Sequence, residues 1–311
     1  MLRTPMFVLA FMLGALLIGA QPAFLRDPAS NSSPANPQQS TQQPTQQPLL
    51  KPVSATAADI PFSTANANDE IQTAQQLLQL ANQDRAQFHA PPLTLDSGLS
   101  QAARIHAQAM FDQRQLSHQF TGEPSLPQRL AAATKLQLDQ EGENVALDYD
   151  ATGAEHHLMQ SPPHRANLLN PAYNVIGLGI VRSGDRLYLV QDFGHALPNY
   201  SPAEVKDQIA TAVAQLRRQS GQPALARRDL PIADAAACSM AQADQLGTAP
   251  VHQLAQGYTV LTFTSLHLET LPNQATQAIA KPNQRSFSIG ECYAKTTTYP
   301  TGVYWLVLSL D

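Results

Sequence analysis

Apolar residues recur at helical spacing in two successive stretches of the chain. The first covers residues 71–85 and stops before two prolines, and the second covers residues 99–110. Residues three and four positions apart share one face of a helix, so both stretches predict amphipathic helices packed on a core. The apolar faces comprise Ile71, Ala74, Leu77, Leu78 and Ala81 in the first, and Leu99, Ala102, Ala103, His106 and Met110 in the second. On this face His106 is predicted to be a satisfied core histidine.

Shorter helices and a hairpin are predicted further along. Thr152 and Glu155 have the spacing of a capping box, which predicts a helix that ends before Pro162. Ser161 precedes that proline and can cap the next turn. Residues 175–180 and 187–193 are apolar, β-branched or aromatic, and the segment 183–185 between them contains glycine and aspartate. This pattern is typical of a β-hairpin.

The N-terminal part of the chain has the composition of an export signal followed by a linker. Residues 1–20 combine Arg3, an apolar run and small residues suited to cleavage after Ala20, which predicts a signal peptide. The apolar run is shorter than the ~20 residues that cross a bilayer, and an uncleaved leader anchored in a membrane is the alternative. Residues 21–68 are rich in Pro, Gln, Ser and Thr and predict a disordered linker. We therefore expect a secreted protein, extracellular or periplasmic.

The sparse charge and the two cysteines narrow the classes of protein further. A chain of 311 residues is long enough for two domains. Only 14% of its residues are charged and the net charge is -5, which argues against nucleic acid as a partner. An exported chain meets an oxidising compartment, so Cys238 and Cys292 are predicted to form a disulfide. Two unpaired buried thiols are the alternative.

Two imidazoles and one carboxylate form the candidate site. His118, Glu143 and His164 lie close together in the sequence of a charge-poor chain. Neutral imidazole and carboxylate oxygen are common zinc ligands, and a carboxylate beside a histidine orients or activates its ring. The cluster therefore predicts a functional site.

Five motifs give the chain a resemblance to a known family. They are Leu116-Ser117-His118, Gly142-Glu143-Asn144, the segment 161–171, Gly177-Leu178-Gly179 and the segment 188–194. Their order and approximate spacing are similar to those of the CAP superfamily, which comprises cysteine-rich secretory proteins, antigen 5 and plant pathogenesis-related proteins, with many secreted bacterial members of the SCP-like type. For residues 69–200, the resemblance and the predicted elements imply an α+β fold, the α-β-α sandwich of the CAP type.

The resemblance also implies a cleft. CAP proteins have a cleft lined by two histidines and two acidic residues, and the histidine pair can hold a divalent metal. By motif, His118 and His164 are the histidines and the candidate metal ligands, and Glu143 is the first acid. The place of the second acid falls at or near Ser161, which cannot supply a full negative charge. We therefore expect weak uptake of zinc or another divalent metal, with no cofactor required.

Two functions are compatible with this cleft. One is a non-catalytic extracellular binding module for a lipid, cell-wall or protein ligand, as the resemblance implies. The other is a metal-assisted hydrolase with Glu143 as the general base, against which the missing second acid argues. Asn144, Arg165 and Asn167 are predicted to be structural residues that tie loops together.

Residues 201–311 form a predicted second domain. Arg218 and the dipeptide at 289–290 echo Arg85 and the dipeptide at 176–177, which predicts a degenerate, shorter copy of the CAP-like fold. In this register Ser239 stands where His106 would, and the site motifs have no counterpart. An unrelated small α+β domain is the alternative. A third possibility is an interface formed through the strand-rich segment 258–268.

Overall fold

The computed structural model describes residues 64–311. The predicted signal peptide, residues 1–20, and most of the predicted linker, residues 21–68, lie outside the described residues. The first helix begins at Thr64 and so overlaps the end of the predicted linker, residues 64–68. Ala65 and Ala67 are strong helix formers and allow the helix to start before its apolar face does.

The first module, residues 64–197, is a sheet between two layers of helices. Its elements are α1 (Thr64–Gln87), β1 (Thr94–Leu95), α2 (Ser97–Gln113), α3 (Leu126–Ala133), β2 (Gln137–Asp148), α4 (Ala151–Gln160), α5 (Pro162–Leu168), β3 (Val175–Ser183) and β4 (Arg186–Leu197). On one face of the sheet α1 and α4 bury Leu77, Ala154 and Leu158. On the other face α2 buries Ala103 and Met110. The predicted α-β-α sandwich is confirmed.

The sheet of this module has four strands in the order β1-β3-β4-β2. β1 pairs in parallel with β3, and both β3 and β2 pair antiparallel with β4. The predicted hairpin is present, with Ser183 opposite Arg186. Gly184 has a φ of 62°, which glycine adopts without strain.

Some local predictions need correction. Helix α4 is capped by Asp150, whose side chain accepts a hydrogen bond from the backbone N–H of Gly153, and not by Thr152. The sequence pattern predicts neither α3 nor β2. Strand β2 lacks a regular apolar alternation because its buried residues include the polar side chains of Glu143 and Asn144.

The second module, residues 202–310, repeats the order of elements. They are α6 (Pro202–Gln219), β5 (Ala226–Arg227), α7 (Pro231–Ala243), α8 (Ala249–Leu254), β6 (Thr259–Ser265), α9 (Asn273–Ile279), β7 (Ser286–Ala294) and β8 (Val303–Leu310). Its sheet has the order β5-β7-β8-β6, with the same parallel and antiparallel pairings as the first sheet. One short helix, α9, stands where the first module has α4 and α5.

A buried arginine makes the same contacts in both modules. Arg85 donates from Nε and Nη1 to three backbone carbonyls, at 2.6, 2.8 and 3.0 Å. Arg217 donates from the same two atoms to three backbone carbonyls, at 2.7, 2.8 and 2.7 Å. Arg217, and not Arg218, therefore occupies the place of Arg85, which shifts the predicted register of this helix by one position.

Close helix-on-strand packing also recurs. A Cβ added to Gly177 would overlap the backbone at Leu99, and a Cβ added to Gly290 would overlap the backbone at Ala233. Such an approach of helix and strand requires glycine. The two contacts align α2 with α7 and β3 with β7.

Polar contacts join the two modules. Lys295, which follows β7, donates from Nζ to the carbonyls of Ala131 and Thr134 at the end of α3, at 2.6 and 2.9 Å. Gln137 at the start of β2 donates from Nε2 to the hydroxyl of Tyr304, at 3.2 Å. The end of α3 and the start of β2 thus lie against the second module.

A disulfide links helix and sheet within the second module. Cys238 of α7 and Cys292 of β7 are bonded, with their Cα atoms 5.0 Å apart. This is the pairing that the sequence predicts. It fixes the helix to the strand on which it packs.

Candidate functional site

Three elements bring the predicted site residues together. His118 lies in the loop after α2, Glu143 in the middle of β2, and His164 in α5. The Nδ1 atom of His118 lies 2.9 Å from Oε1 of Glu143. The pKa of His164 is lowered, mainly by burial and also by His118, so the two imidazoles are close enough to interact electrostatically. A lowered pKa keeps His164 neutral, the form that can bind a metal.

Both carboxylate oxygens of Glu143 are engaged. Oε1 faces His118, and Oε2 forms an ion pair with Arg129. The side chain of Glu143 is 4% exposed, whereas that of His118 is 62% exposed. An ionised carboxylate only accepts hydrogen bonds, so Nδ1 of His118 donates to it and Nε2 keeps its lone pair. Glu143 therefore orients the His118 ring with Nε2 free for a ligand.

Helix α3, which the sequence analysis missed, supplies the cation that holds this arrangement. Arg129 is buried and donates to the His118 carbonyl at 3.2 Å as well as pairing with Glu143. Ser125 is the N-cap of the helix and forms a capping box with Gln128, and a proline occupies the second helical position. This Ser-x-x-Gln spacing was the signal in the sequence that could have found the helix.

His106 is buried and fully hydrogen-bonded, as the sequence predicts. Its Nδ1 lies 2.6 Å from Glu123 and its Nε2 lies 2.8 Å from the carbonyl of Ser117. Both partners belong to the loop that carries His118. His106 therefore anchors this loop to α2 and is not available as a ligand.

A second acid lies beneath Glu143, in a place that the sequence analysis did not identify. Asp192 is directly opposite Glu143 in the pairing of β2 with β4, and it is fully buried. Burial raises the pKa of Asp192 well above its ordinary value, and the charge of Glu143 raises it further. The raised pKa favours the neutral form of Asp192, because a second negative charge beside Glu143 would be buried.

The predicted structural residues connect α5 to β2. Asn144 donates from Nδ2 to the carbonyl of His164 at 3.1 Å, and Asn167 donates to Asn144 Oδ1 at 3.0 Å. Asn167 also lies 3.1 Å from the carbonyl of Glu143. These bonds set the position of His164 relative to Glu143.

Arg165 and Ser161 take no part in the hydrogen bonds of Asn144 and Asn167 described above. The guanidinium of Arg165 lies over the ring of Phe88, 4.5 Å from its centroid, and so ties α5 to the end of α1. Ser161 separates α4 from α5, and its side chain makes no capping hydrogen bond. Its predicted place in the cleft stays a prediction.

The donor set fits a two-histidine metal site. His118 Nε2 and His164 are the available nitrogen donors, while Glu143 is engaged with Arg129 and His118. Within residues 64–311, no group of three His, Cys, Asp or Glu side chains is arranged to hold an ion. Two protein ligands leave the remaining positions of zinc to water, which makes binding weak.

A chain of buried polar groups runs from this site to α4. Asn144 donates to Gln191 Oε1 at 3.1 Å, and Gln191 donates to Glu155 Oε2 at 3.2 Å. Burial raises the pKa of Glu155 to about 7, against the hydrogen bond from Gln191, which lowers it. The chain therefore ends in a carboxyl that titrates near neutral pH.

The second module lacks these polar groups at matching positions. With Gly290 in the place of Gly177, the register of the second sheet puts Thr262 and Val307 where the first has Glu143 and Asp192. The aligned helices put Met240, and not the predicted Ser239, in the place of His106. The same arrangement of strands and helices thus forms without the buried ionisable groups. In the first module, stability of the fold does not account for their presence.

The fold and this site together define an α-β-α domain with a histidine and glutamate site. The family model described as CAP, cysteine-rich secretory protein family, matches residues 78–193. The chain therefore carries a CAP domain, as its motifs predict.

Two proteins of Bacillus subtilis (strain 168) and one solved structure are similar to this part of the chain. Uncharacterized protein YkwD is 31% identical over 132 residues, which are 42% of this chain and 51% of YkwD. Uncharacterized membrane protein YlbC is 32% identical over 127 residues, which are 40% of this chain and 35% of YlbC. An extracellular protein containing an SCP domain from Bacillus anthracis str. Ames aligns over 44% of this chain and 45% of its own, with 26% identity and a TM-score of 0.40.

The similarity is limited to part of each relative. The chain spans about half of YkwD and about a third of YlbC. Among the helices of residues 64–311, each is too short or too polar to cross a membrane.

Proposed function

We propose that this protein is an exported, non-catalytic binding module whose site consists of His118 and His164 and takes up a divalent metal ion weakly. The observation that carries the proposal is the engagement of Glu143. One oxygen of this carboxylate orients His118, and the other is paired with Arg129. Such an arrangement prepares an imidazole for coordination, as carboxylates behind metal-binding histidines do.

The geometry favours binding over hydrolysis. A metal-assisted hydrolase would need Glu143 as a general base with an oxygen free to take a proton from water. Neither oxygen of Glu143 is free, and the other acid, Asp192, is fully buried beneath it. A bound ion would supply a positive centre for an anionic or carbonyl group of an extracellular lipid, cell-wall or protein ligand. The residues around it hold the two rings in place.

Export is part of the proposal. The predicted signal peptide supports it, and so does the disulfide of the second module, because such bonds persist in oxidising compartments. The mature chain is expected outside the cytoplasm.

The test is a zinc titration of the mature protein by calorimetry. We expect His118→Ala and His164→Ala each to abolish most of the binding, because two protein ligands cannot lose one and still hold the ion. Glu143→Gln should weaken binding less than either, since the carboxylate orients a ring and does not ligate. Unchanged zinc binding in the double histidine variant would overturn the proposal.

The chain offers a matched control. His157 is 64% exposed and its Nδ1 lies 2.6 Å from the buried carboxylate of Asp148, so it has the same kind of carboxylate partner as His118. His157→Ala should leave the zinc affinity unchanged. Equal losses in His157→Ala and His118→Ala would mean that the titration reports surface histidines and not the proposed site.

A further inference from the structure

A cavity of about 450 Å³ lies at the junction of the two modules. Three tyrosines, Tyr200, Tyr293 and Tyr304, line it together with Glu291, and Lys135 of the first module borders it. Cavities between domains that combine aromatic walls with a few polar groups are common binding sites for small ligands.

The tyrosines of this cavity present rings more than hydroxyls. The rings of Tyr293 and Tyr304 have centroids 5.1 Å apart and are tilted by 59°. Tyr293 donates its hydroxyl proton to the carbonyl of Thr301 at 2.9 Å, and the hydroxyl of Tyr304 accepts from Gln137. Tyr304 is 2% exposed, so the partly exposed ring of Tyr293, packed against it, is the main surface that this pair offers a ligand.

Glu291 brings a carboxylate without a cation of its own. Within residues 64–311 its carboxylate makes no hydrogen bond or ion pair. Burial raises the pKa of Glu291, and the charge of Asp234 adds to this, while Lys206 lowers it. The ammonium of Lys206 is bonded to Asp234 at 2.8 Å, and Lys135 is exposed at the rim. The carboxylate of Glu291 is thus partly withdrawn from water, and no cation of the described residues is bonded to it.

The backbone shows that these residues are substitutions on a shared scaffold. The N–H of Leu178 donates to Ser100 Oγ at 3.2 Å, and the N–H of Glu291 donates to Asp234 Oδ1 at 3.1 Å, in the aligned helices and strands. Glu291 therefore stands where the first module has a leucine.

The sheet register extends the comparison to the aromatic residues. Tyr293 and Tyr304 are directly paired, as Ile180 and Leu189 are in the first sheet. Three positions that are aliphatic in the first module are thus occupied in the second by one carboxylate and two aromatic side chains. The first module folds with aliphatic residues there, so folding does not require the polar set.

We propose that this junction cavity binds a quaternary or highly substituted ammonium group. Aromatic rings attract such a cation through their electron-rich faces, and the carboxylate of Glu291 supplies the opposite charge. A cation of this kind has no N–H to donate or few, which suits a cavity in which the hydroxyls of Tyr293 and Tyr304 are already bonded. His118 and His164 do not line this cavity, so the proposal for ammonium binding can be tested independently of the one for metal binding.

The test is a choline titration of the mature protein followed by NMR or calorimetry, with dimethylbutanol, the uncharged carbon isostere of choline, in a parallel titration. We expect saturable binding of choline and at least about tenfold weaker binding of the isostere. Glu291→Leu and Tyr293→Ile install the residues of the first module and should each weaken choline binding about tenfold without unfolding the protein.

Two controls separate the cavity from other sites. Glu269→Gln removes an exposed carboxylate of the same module and should leave choline binding unchanged. The double variant His118→Ala/His164→Ala should also bind choline normally. Phosphatidylcholine vesicles then distinguish the source: co-sedimentation that free choline competes away assigns a lipid headgroup, and its absence assigns a free solute.

Three results would overturn the proposal. They are no saturable choline binding in the millimolar range, equal binding of the uncharged isostere, and choline affinity that is the same in wild type, Glu291→Leu and Tyr293→Ile. Preferential binding of a neutral sugar such as N-acetylglucosamine would likewise assign the cavity to another class of ligand. Circular dichroism of each variant shows whether a loss of binding reflects a loss of fold.

Discussion

Replacing Glu155 by glutamine should stabilise the protein, and the gain should grow with pH. Glu155 is 3% exposed and burial raises its pKa to about 7. The folded state therefore favours the neutral carboxyl over the charged one. The stability that goes with the neutral form is fully present below the unfolded pKa near 4.5 and is lost as pH rises through about 7. By linkage, the carboxyl destabilises the fold by about 1 kcal/mol at pH 5 and by about 3 kcal/mol at pH 8. Glutamine does not ionise and so removes this destabilisation, and its side-chain oxygen can still accept the hydrogen bond from Gln191.

Thermal unfolding of both proteins from pH 5 to 8 measures the effect. The destabilisation by Glu155 grows by about 2.5 kcal/mol between pH 5 and 8. The difference in Tm between variant and wild type should therefore widen by about 5–10 °C over this range. Glu204→Gln is a control of opposite sign. The backbone N–H and hydroxyl of Ser201 lower the pKa of Glu204, so its contribution is present above the unfolded pKa and is lost as pH falls. Parallel Tm curves for wild type and Glu155→Gln would refute the reasoning.

Three further outcomes are expected. Arg129→Met should lower the free energy of unfolding by about 3–5 kcal/mol, because it leaves a buried carboxylate without its partner, and chemical denaturation measures this. Gly290→Ala should cost about 3 kcal/mol or more in the same assay, since its Cβ would overlap the backbone at Ala233, whereas Gly257→Ala, with open space around it, should be nearly neutral. Alkylation without reduction, read by intact mass, should find no free thiol, and replacing Cys238 and Cys292 by serine should lower stability by about 4 kcal/mol; two alkylated thiols in the wild type would contradict this.

Elements with a regular apolar period could be predicted from the sequence. Helices α1 and α2 and the β3–β4 hairpin bury continuous apolar faces, and their patterns show it. Strand β2 could not be found in this way, because its buried positions hold Glu143 and Asn144. Helix α3 has only eight residues, too few to show an apolar period, so its capping box was the signal available. In each case the element that escaped prediction carries residues of the site.

The site itself could be predicted only as far as its motifs reach. His118, Glu143 and His164 belong to short motifs that can be read directly. Their supporting residue Arg129 belongs to none of the motifs. Asp192 lies in the motif at 188–194, but only the pairing of strands shows that it faces Glu143. No periodicity encodes a partner of this kind, since one polar residue in an apolar strand has many explanations.

The two modules supply a comparison that a single domain cannot. Where the first has buried Glu143 and Asp192, the second has Thr262 and Val307, and the sheet around them has the same order and pairing. Where the second has Glu291, the first has an aliphatic side chain. Each module therefore serves as the other's reference for what the fold alone requires. A buried carboxylate reduces stability unless it is paired, so its presence in only one module indicates a function located there. By this criterion, the proposed metal site belongs to the first module and the proposed ammonium cavity mainly to the second, and exchanging residues between matching positions should move each binding property without destroying the fold.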